Sequence, residues 1–243
     1  MATDPNDRIF ENAGALAQAT ASWLCGKTAA GTDRFAICCS GGSTPRPLYE
    51  LLAQPPVIAT FPWDRVHWFW GDERFVAHDH PDSNYGMTRA ALLAKAPIPA
   101  GNIHPIPTEG LTPEQGAAAY ERTLRDYYGA DRLDAAGPLF DVTLLGIGED
   151  GHTASLLPDA STLEETQHWV VAVPHGRSEP RITLTYPALD SSRDIIFLAV
   201  GRNKRTIVRK ARGGDRTLPA ARVHPVGRLH WFVDSDAGWT SNT

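Results

Sequence analysis

The strongest constraint on the fold is a repeated order of segments: a short apolar run, a polar turn that contains glycine, and a helix-like segment. Phe35–Cys39 leads into residues 40–45 (Ser-Gly-Gly-Ser-Thr-Pro), and Phe140–Leu145 leads into a turn with Gly146 and Gly148. These apolar runs are too short for helices, and glycine ends them. Strands that alternate with helices predict an α/β fold with a largely parallel sheet.

The same alternation continues along the whole chain. No internal repeat, low-complexity tract or change of composition interrupts it, so we predict one domain over residues 1–243. Further strands are predicted at Val66–Trp70 and at residues 169–173, 181–185, 194–200 and 229–233, and helices at residues 10–28, 48–52, 85–92, 113–128 and 202–212.

Composition excludes several classes of protein. A net charge of −5 without a basic run argues against a nucleic-acid partner. No apolar run approaches the roughly 18 residues that a membrane helix needs, and no signal peptide is visible at the start. Cys25, Cys38 and Cys39 lack the spacing of metal ligands and are expected to be free thiols. We therefore expect a cytoplasmic protein that binds neither nucleic acid nor membranes.

Polar groups follow the strands at four places. Because the carboxyl ends of parallel strands share one edge of a sheet, these groups can converge on one site. Each group alone has a plain structural explanation, such as Ser43 or Thr44 capping a helix, but their repetition favours a binding site. The four groups are Gly42-Ser43-Thr44, Asp72-Glu73-Arg74, Asp150-Gly151-His152 and Gly201-Arg202-Asn203-Lys204.

The chemistry of these groups suits a phosphate ester. Cations and a glycine loop rich in hydroxyls can bind phosphate, and a histidine oriented by an aspartate can act as a general base. No serine or cysteine nucleophile motif accompanies His152, so water is the expected attacking group. The glycine loop matches neither the Walker nor the dinucleotide pattern, so no nucleotide cofactor is predicted.

Residues 78–85 (His-Asp-His-Pro-Asp-Ser-Asn-Tyr) contain several metal-ligand types. No second ligand pair stands at helical spacing, which favours a solvated turn with Asp82 or Ser83 capping the next helix. No metal is expected.

With these motifs in the same order, the chain resembles the 6-phosphogluconolactonase family over nearly its whole length. One departure is Ser43, where many members carry glycine; a serine keeps the backbone donors and adds a hydroxyl. The matching segments are residues 40–45 (SGGSTP) with Tyr49 and Leu52, residues 71–74 (GDER) with 82–85 (DSNY), residues 145–156 (LGIGEDGHTASL), residues 181–184 (RITL), residues 201–204 (GRNK) and residues 219–220 (PA).

The resemblance implies hydrolysis of 6-phosphoglucono-1,5-lactone to 6-phosphogluconate, the second step of the oxidative pentose phosphate pathway. It also implies the fold of the glucosamine-6-phosphate deaminases, which is Rossmann-like, with an open, largely parallel sheet and helices on both faces. No redox cofactor is implied. We expect His152 to take a proton from water, Asp150 to orient His152, and Arg74 to stabilise the oxyanion. Which cation serves the phosphate and which the carbonyl stays open. The expected substrate-binding and phosphate-binding residues are Gly41, Gly42, Ser43, Thr44, Asp72, Glu73, Arg181, Arg202 and Lys204, with Arg74 as an alternative phosphate ligand.

Two other functions are possible for such a chain. The related deaminases have a glutamate five residues after the histidine, which assists ring opening; here that position is Leu157, which favours the lactonase. A non-catalytic phosphosugar sensor would usually carry an effector domain, for which the chain has no room. We expect a phosphosugar lactone as the small-molecule partner, and a monomer or weak homodimer.

Overall fold

A parallel sheet forms the centre of the computed structural model, which describes residues 6–30, 34–175 and 178–239. Its helices are α1 (Ala13–Ala29), α2 (Arg46–Leu52), α3 (Val57–Thr60), α4 (Asn84–Thr88), α5 (Pro113–Tyr128), α6 (Tyr186–Asp190) and α7 (Arg205–Arg212). Its strands are β1 (Arg8–Phe10), β2 (Phe35–Cys39), β3 (Val66–Trp70), β4 (Asp72–Arg74), β5 (Phe140–Leu145), β6 (Val170–Val173), β7 (Arg181–Leu184), β8 (Ser192–Ala199) and β9 (Arg228–Asp234).

The main sheet has six parallel strands in the order β1-β9-β8-β5-β2-β3. From β2 the chain continues to β3 on one side, whereas β5 continues to β8 and β9 on the other. The strand order therefore reverses between β2 and β5, and a crevice opens there at the carboxyl ends of the strands. The predicted α/β fold with a largely parallel sheet is confirmed. One domain over residues 1–243 stays a prediction, and its two ends, residues 1–5 and 240–243, lie outside the described residues.

A second, antiparallel sheet was not predicted. It has the order β4-β7-β6 and includes Asp72–Arg74, which the sequence places in a turn after β3. Three charged residues show no apolar alternation, so no local signal indicates a strand. They become one because Gly71 continues the chain beside β7, where the Leu184 amide donates to the Gly71 carbonyl at 2.8 Å.

The residues that cap the helices can be compared with the predicted caps. Ser83 caps α4, its hydroxyl accepting from the Gly86 amide, so this predicted cap is confirmed. Thr112 forms a capping box at the start of α5. A cap by Ser43 or Thr44 is wrong, because α2 starts from Pro45 without a side-chain cap. At the amino terminus, the predicted helix over residues 10–28 begins only at Ala13, since residues 8–10 pair with β9 as an edge strand.

Two buried tyrosines fix the carboxyl ends of neighbouring strands. The Tyr49 hydroxyl donates to the Ser40 carbonyl at 2.8 Å and accepts from the Ser40 amide at 3.1 Å. The Tyr120 hydroxyl bonds the carbonyl and amide of Trp70 in the same way, at 3.0 Å and 2.9 Å. Each tyrosine thus satisfies the backbone at the point where a strand enters its loop.

The opposite end of the sheet contains a buried ionic cluster. Asp194 accepts from Lys27 Nζ at 2.5 Å and contacts His230 Nε2 at 2.7 Å, and Lys27 lies over the Trp23 ring. Burial raises the pKa of the Asp194 carboxyl, but the hydrogen bonds from His230 and Lys27 outweigh burial and leave this pKa below its ordinary value.

The three cysteines, Cys25, Cys38 and Cys39, are free thiols, as predicted. Among the described residues, no helix is long and apolar enough to span a membrane.

Replacing Asp194 with asparagine tests the ionic cluster. The free energy of unfolding at pH 7 should fall by about 2 kcal/mol, because charge-assisted hydrogen bonds are lost. A depressed folded-state pKa stabilises the fold above the unfolded-state pKa of about 3.9, and this stabilisation is lost as pH falls through the folded-state pKa. Denaturant unfolding of wild type and variant should therefore show a gap at pH 7 that narrows by pH 3. An equal gap at both pH values would contradict the ionic origin.

Candidate active site

A cavity of about 250 Å³ lies at the crevice between the carboxyl ends of β2 and β5. The loops after β2, β5 and β8 surround it, together with side chains from the small sheet. It is lined by residues 40–45, Asp72, Arg74, Asn84, residues 145–148, His152, Ala154, Arg181, residues 198–200 and Lys204.

The loop after β2 forms one wall of the cavity. Gly42 has φ 91°, a left-handed conformation that favours glycine. Gly41 is in direct contact with the Asn84 side-chain amide, and a Cβ at this position would collide with the Asn84 Oδ1. Ser43 and Thr44 do not cap α2, and both residues line the cavity.

His152, which lines the cavity, forms a close pair with Asp150. The His152 Nδ1 lies 2.5 Å from the Asp150 Oδ1, and the His152 amide donates to the same oxygen at 3.2 Å. A carboxylate at Nδ1 fixes the tautomer with the proton on that nitrogen, which leaves Nε2 as the proton acceptor. The Asp150 carboxylate, the first candidate for orienting His152, is therefore in contact with the imidazole in the structure.

The turn that carries this pair is fixed by its own backbone. The Gly148 amide donates to the His152 carbonyl at 2.9 Å, and the Thr153 hydroxyl donates to the Gly146 carbonyl at 2.9 Å. Ala154, which lines the cavity, has φ 48°, a conformation that is costly for a residue with a Cβ. The local turn therefore holds the imidazole in one position.

Three cations line the cavity: Arg74, Arg181 and Lys204. Arg74 and Arg181 stand directly opposite each other on β4 and β7, so two guanidinium groups lie on the same wall of the cavity. The Arg74 Nη1 donates to the Asp82 carbonyl at 2.5 Å, while its buried Nε has no hydrogen-bond partner among the described residues. The pair gives this wall of the cavity an affinity for anions.

The loop after β8 brings Lys204 to the cavity. Its bend is fixed by Asp234, whose carboxylate accepts from the Gly201 amide at 3.0 Å. Gly201 itself has φ 96°. The Asn203 side chain donates to Glu149 at 2.6 Å and so joins this loop to the turn of His152.

A carboxylate also lines the cavity. Asp72 is 7% exposed, and its Oδ2 accepts from the Ser155 hydroxyl at 2.6 Å. The Asn84 side-chain amide donates to the Asp72 carbonyl at 2.9 Å. Sequence reasoning did not identify Asn84 as a site residue; the only available signal was its place in the segment 82–85, which forms part of the resemblance.

Most of the predicted site residues line the cavity, and Asp150 reaches it through its contact with His152. Glu73 and Arg202 do neither. Glu73 is 1% exposed, and burial raises the pKa of its carboxyl even though four hydrogen bonds act to lower it. It does not line the cavity, because its carboxylate is directed to the start of α4. Arg202 points away from the cavity, with its side chain 84% exposed and 4.0 Å from Asp236.

The histidine-rich turn has structural contacts instead of metal-ligand geometry. His78 Nε2 lies 2.9 Å from the Ile106 carbonyl, and His80 Nδ1 accepts from the Asp82 amide at 3.2 Å. Within residues 6–30, 34–175 and 178–239, no group of three or more His, Cys, Asp or Glu side chains is arranged to hold a metal ion.

Comparison with known proteins places the chain in a family. Residues 11–231 match the family described as glucosamine-6-phosphate isomerases/6-phosphogluconolactonase. The 6-phosphogluconolactonase of Nostoc sp. is 42% identical over 208 residues, which cover 84% of each chain. The crystal structure of 6-phosphogluconolactonase from Thermotoga maritima is 31% identical with a TM-score of 0.81, covering 94% of this chain and 99% of that one.

The chain therefore belongs to the glucosamine-6-phosphate isomerase/6-phosphogluconolactonase family, as its motifs predict. A monomeric glucosamine-6-phosphate deaminase structure also aligns, with a TM-score of 0.78 over 96% of this chain and 98% of that one. At 20% identity this likeness shows the fold alone, and it confirms the predicted deaminase-type fold.

Replacing Gly148 with alanine tests the role of the paired imidazole. A Cβ at this position would collide with the His152 Nδ1 and the Asp150 Oδ1, so the pair must separate. We expect kcat for the expected lactone hydrolysis to fall about 10²-fold, the size of a general-base contribution.

The control is the same substitution in a His152→Ala background. Because that background lacks the imidazole, Gly148→Ala should change its residual kcat by no more than about twofold. A further large loss of kcat would show that general disturbance of the loop, rather than the His152–Asp150 pair, accounts for the effect.

Proposed function

We propose that this protein hydrolyses 6-phospho-D-glucono-1,5-lactone to 6-phosphogluconate. The observation that carries this proposal is the placement of the His152–Asp150 pair and of three cations around one cavity, in a chain of this family. The pair supplies a base that can activate water, and the cations suit the dianionic phosphate of the substrate.

His152 starts the reaction as a general base. Its Nε2 takes a proton from water as the water oxygen bonds to the lactone carbonyl carbon. Asp150 stabilises the imidazolium that forms, because its carboxylate already lies at Nδ1. When the tetrahedral intermediate collapses, the bond from this carbon to the ring oxygen breaks, and the imidazolium returns the proton to the leaving oxygen. The product acid then ionises and releases one proton to the solvent.

The remaining groups bind the substrate. One of the cations stabilises the oxyanion, together with amides of the glycine turns, and the others hold the phosphate with the Gly42, Ser43 and Thr44 loop. Arg74 and Lys204 are the candidates for both roles. Since Arg202 points to solvent, we leave it out of the phosphate site.

The site suits a lactone better than an amino sugar. A lactone already exposes its electrophilic carbon, whereas a cyclic amino sugar must be opened by an acid–base pair. Leu157 takes the place of the second acid–base group and does not line the cavity. We place the protein in the cytoplasm as a single domain that acts as a monomer or weak homodimer, at the second step of the oxidative pentose phosphate pathway, without cofactor or metal.

The proposed activity is tested with freshly generated 6-phosphogluconolactone. Wild-type protein should accelerate proton release above the spontaneous rate, measured with a pH indicator. His152→Ala should lose most of this acceleration, about 10²-fold or more, because it removes the general base. The variant should still bind 6-phosphogluconate in calorimetry, since its cations and glycine loop are unchanged.

A parallel assay for ammonia release from glucosamine 6-phosphate separates the two enzyme activities of the family. We expect no ammonia release. A wild-type protein that releases ammonia and leaves lactone hydrolysis at its spontaneous rate would identify a deaminase and refute the proposal.

Replacing Lys204 with alanine distinguishes the roles of the cations. If Lys204 holds the phosphate in both ground state and transition state, KM should rise about 10-fold to 100-fold with kcat nearly unchanged. Arg202→Ala should leave KM within about twofold of the wild-type value. A fall in kcat without a rise in KM for Lys204→Ala would indicate that this lysine stabilises the oxyanion at the carbonyl instead of binding the phosphate.

A further inference from the structure

We propose that Glu73 is a positioning residue for this site, and that its buried carboxylate fixes the turn over residues 82–86, which holds Arg74 and Asn84 at the cavity. The proposal rests on the proposed function, because its readout is lactone hydrolysis. It assigns Glu73 an indirect role, acting through residues that line the cavity, in place of the substrate contact expected from sequence.

The Glu73 carboxylate accepts four hydrogen bonds, two at each oxygen. Its Oε1 accepts from the amides of Arg74 at 2.8 Å and Asn84 at 2.7 Å. Its Oε2 accepts from the Tyr85 amide at 2.8 Å and the Ser83 hydroxyl at 3.0 Å. The carboxylate thus joins β4 to the start of α4 and fixes their separation.

Two hydrogen bonds hold Arg74 in place. Its amide is bonded to Glu73, and its guanidinium donates to the Asp82 carbonyl at the beginning of the same turn. The backbone of Arg74 is thus bonded to the Glu73 carboxylate, and its side chain is bonded to the segment which that carboxylate organises. A shift of this segment would move the guanidinium relative to the cavity.

Asn84 is held by Glu73 in the same way. With its backbone amide bonded to Glu73, its side chain reaches back to Asp72 and lies against Gly41. Asn84 thereby links the carboxylate in the cavity to the glycine loop. Since the contact with Gly41 leaves no room for a Cβ, a small displacement of Asn84 would be transmitted to that loop.

Only a carboxylate satisfies this arrangement. All four partners are N–H or O–H groups, and an ionised carboxylate offers acceptors at both oxygens without a donor. Glutamine would direct an NH₂ group at two of these donors and leave buried polar groups unsatisfied. Glu73→Gln keeps the shape of the side chain and should release the turn.

A second buried carboxylate provides the matched control. Glu121 is 8% exposed, and its Oε2 accepts from the amides of Trp169 at 2.9 Å and Val170 at 3.2 Å. It joins α5 to β6 and does not line the cavity. Glu121→Gln therefore disturbs a comparable carboxylate that has no connection to Arg74 or Asn84.

The experiment compares wild type, Glu73→Gln and Glu121→Gln by thermal unfolding, by KM and kcat with the lactone, and by inhibition with inorganic phosphate. Both variants should unfold at lower temperature. Glu73→Gln should lose at least about 10-fold in kcat/KM per folded molecule and bind phosphate at least about 5-fold more weakly. Glu121→Gln should keep kcat/KM and the affinity for phosphate within about twofold of the wild-type values. Losses in Glu73→Gln no larger than those in Glu121→Gln would overturn the proposal.

A milder pair of variants is used if Glu73→Gln does not fold. Ser83→Ala removes one donor to Glu73 together with a helix cap, and Thr112→Ala removes the corresponding cap at the start of α5. Ser83→Ala should lower kcat/KM and phosphate affinity severalfold, and Thr112→Ala should not. Equal effects of the two variants would refute the positioning role. A wild type without lactone hydrolysis would instead refute the proposed function, so the two failures are distinguishable.

Discussion

The pairing of β2 with β5 is the interaction on which the site depends. These strands are far apart in sequence, and their register aligns Ile37 with Val142 and Cys38 with Thr143. At the amino end of the pair, the Asp141 carboxylate accepts from the Ala36 amide at 2.8 Å. Because the strands are parallel and adjacent, the glycine loop after β2 and the histidine turn after β5 leave the sheet side by side.

Buried carboxylates hold the loops around this edge in place. Glu73 binds the start of α4, and Asp234 binds the amide of Gly201 ahead of Lys204. Such groups are costly to bury, and the cost is offset when each oxygen receives hydrogen bonds. Their ionised form is useful where several amides converge, since no neutral side chain offers as many acceptors. The cavity thus depends on carboxylates outside it as well as on its own lining.

Much of the site was predictable because it is encoded in local motifs. The His152–Asp150 contact spans two residues, so a single glycine turn suffices to form it. The ends of β2, β3 and β5 were predictable from apolar runs that glycine or polar residues terminate. Sequence patterns carry least information where the placement of a residue depends on a distant partner. The sequence shows Glu73 and Arg202 as strand-end charges like Arg74 and Lys204, and only packing directs one inward to α4 and the other to solvent.

By itself, the sequence determined the strand–helix alternation, the parallel sheet, the His152–Asp150 pair and the family, because these depend on short-range patterns. Tertiary structure decided the antiparallel sheet and the register that sets Arg74 opposite Arg181. It also decided the contact of Asn84 with Gly41. The physical reason is that these contacts join residues with no local propensity to meet. Their geometry is fixed only when the core orders both partners and satisfies their buried polar groups.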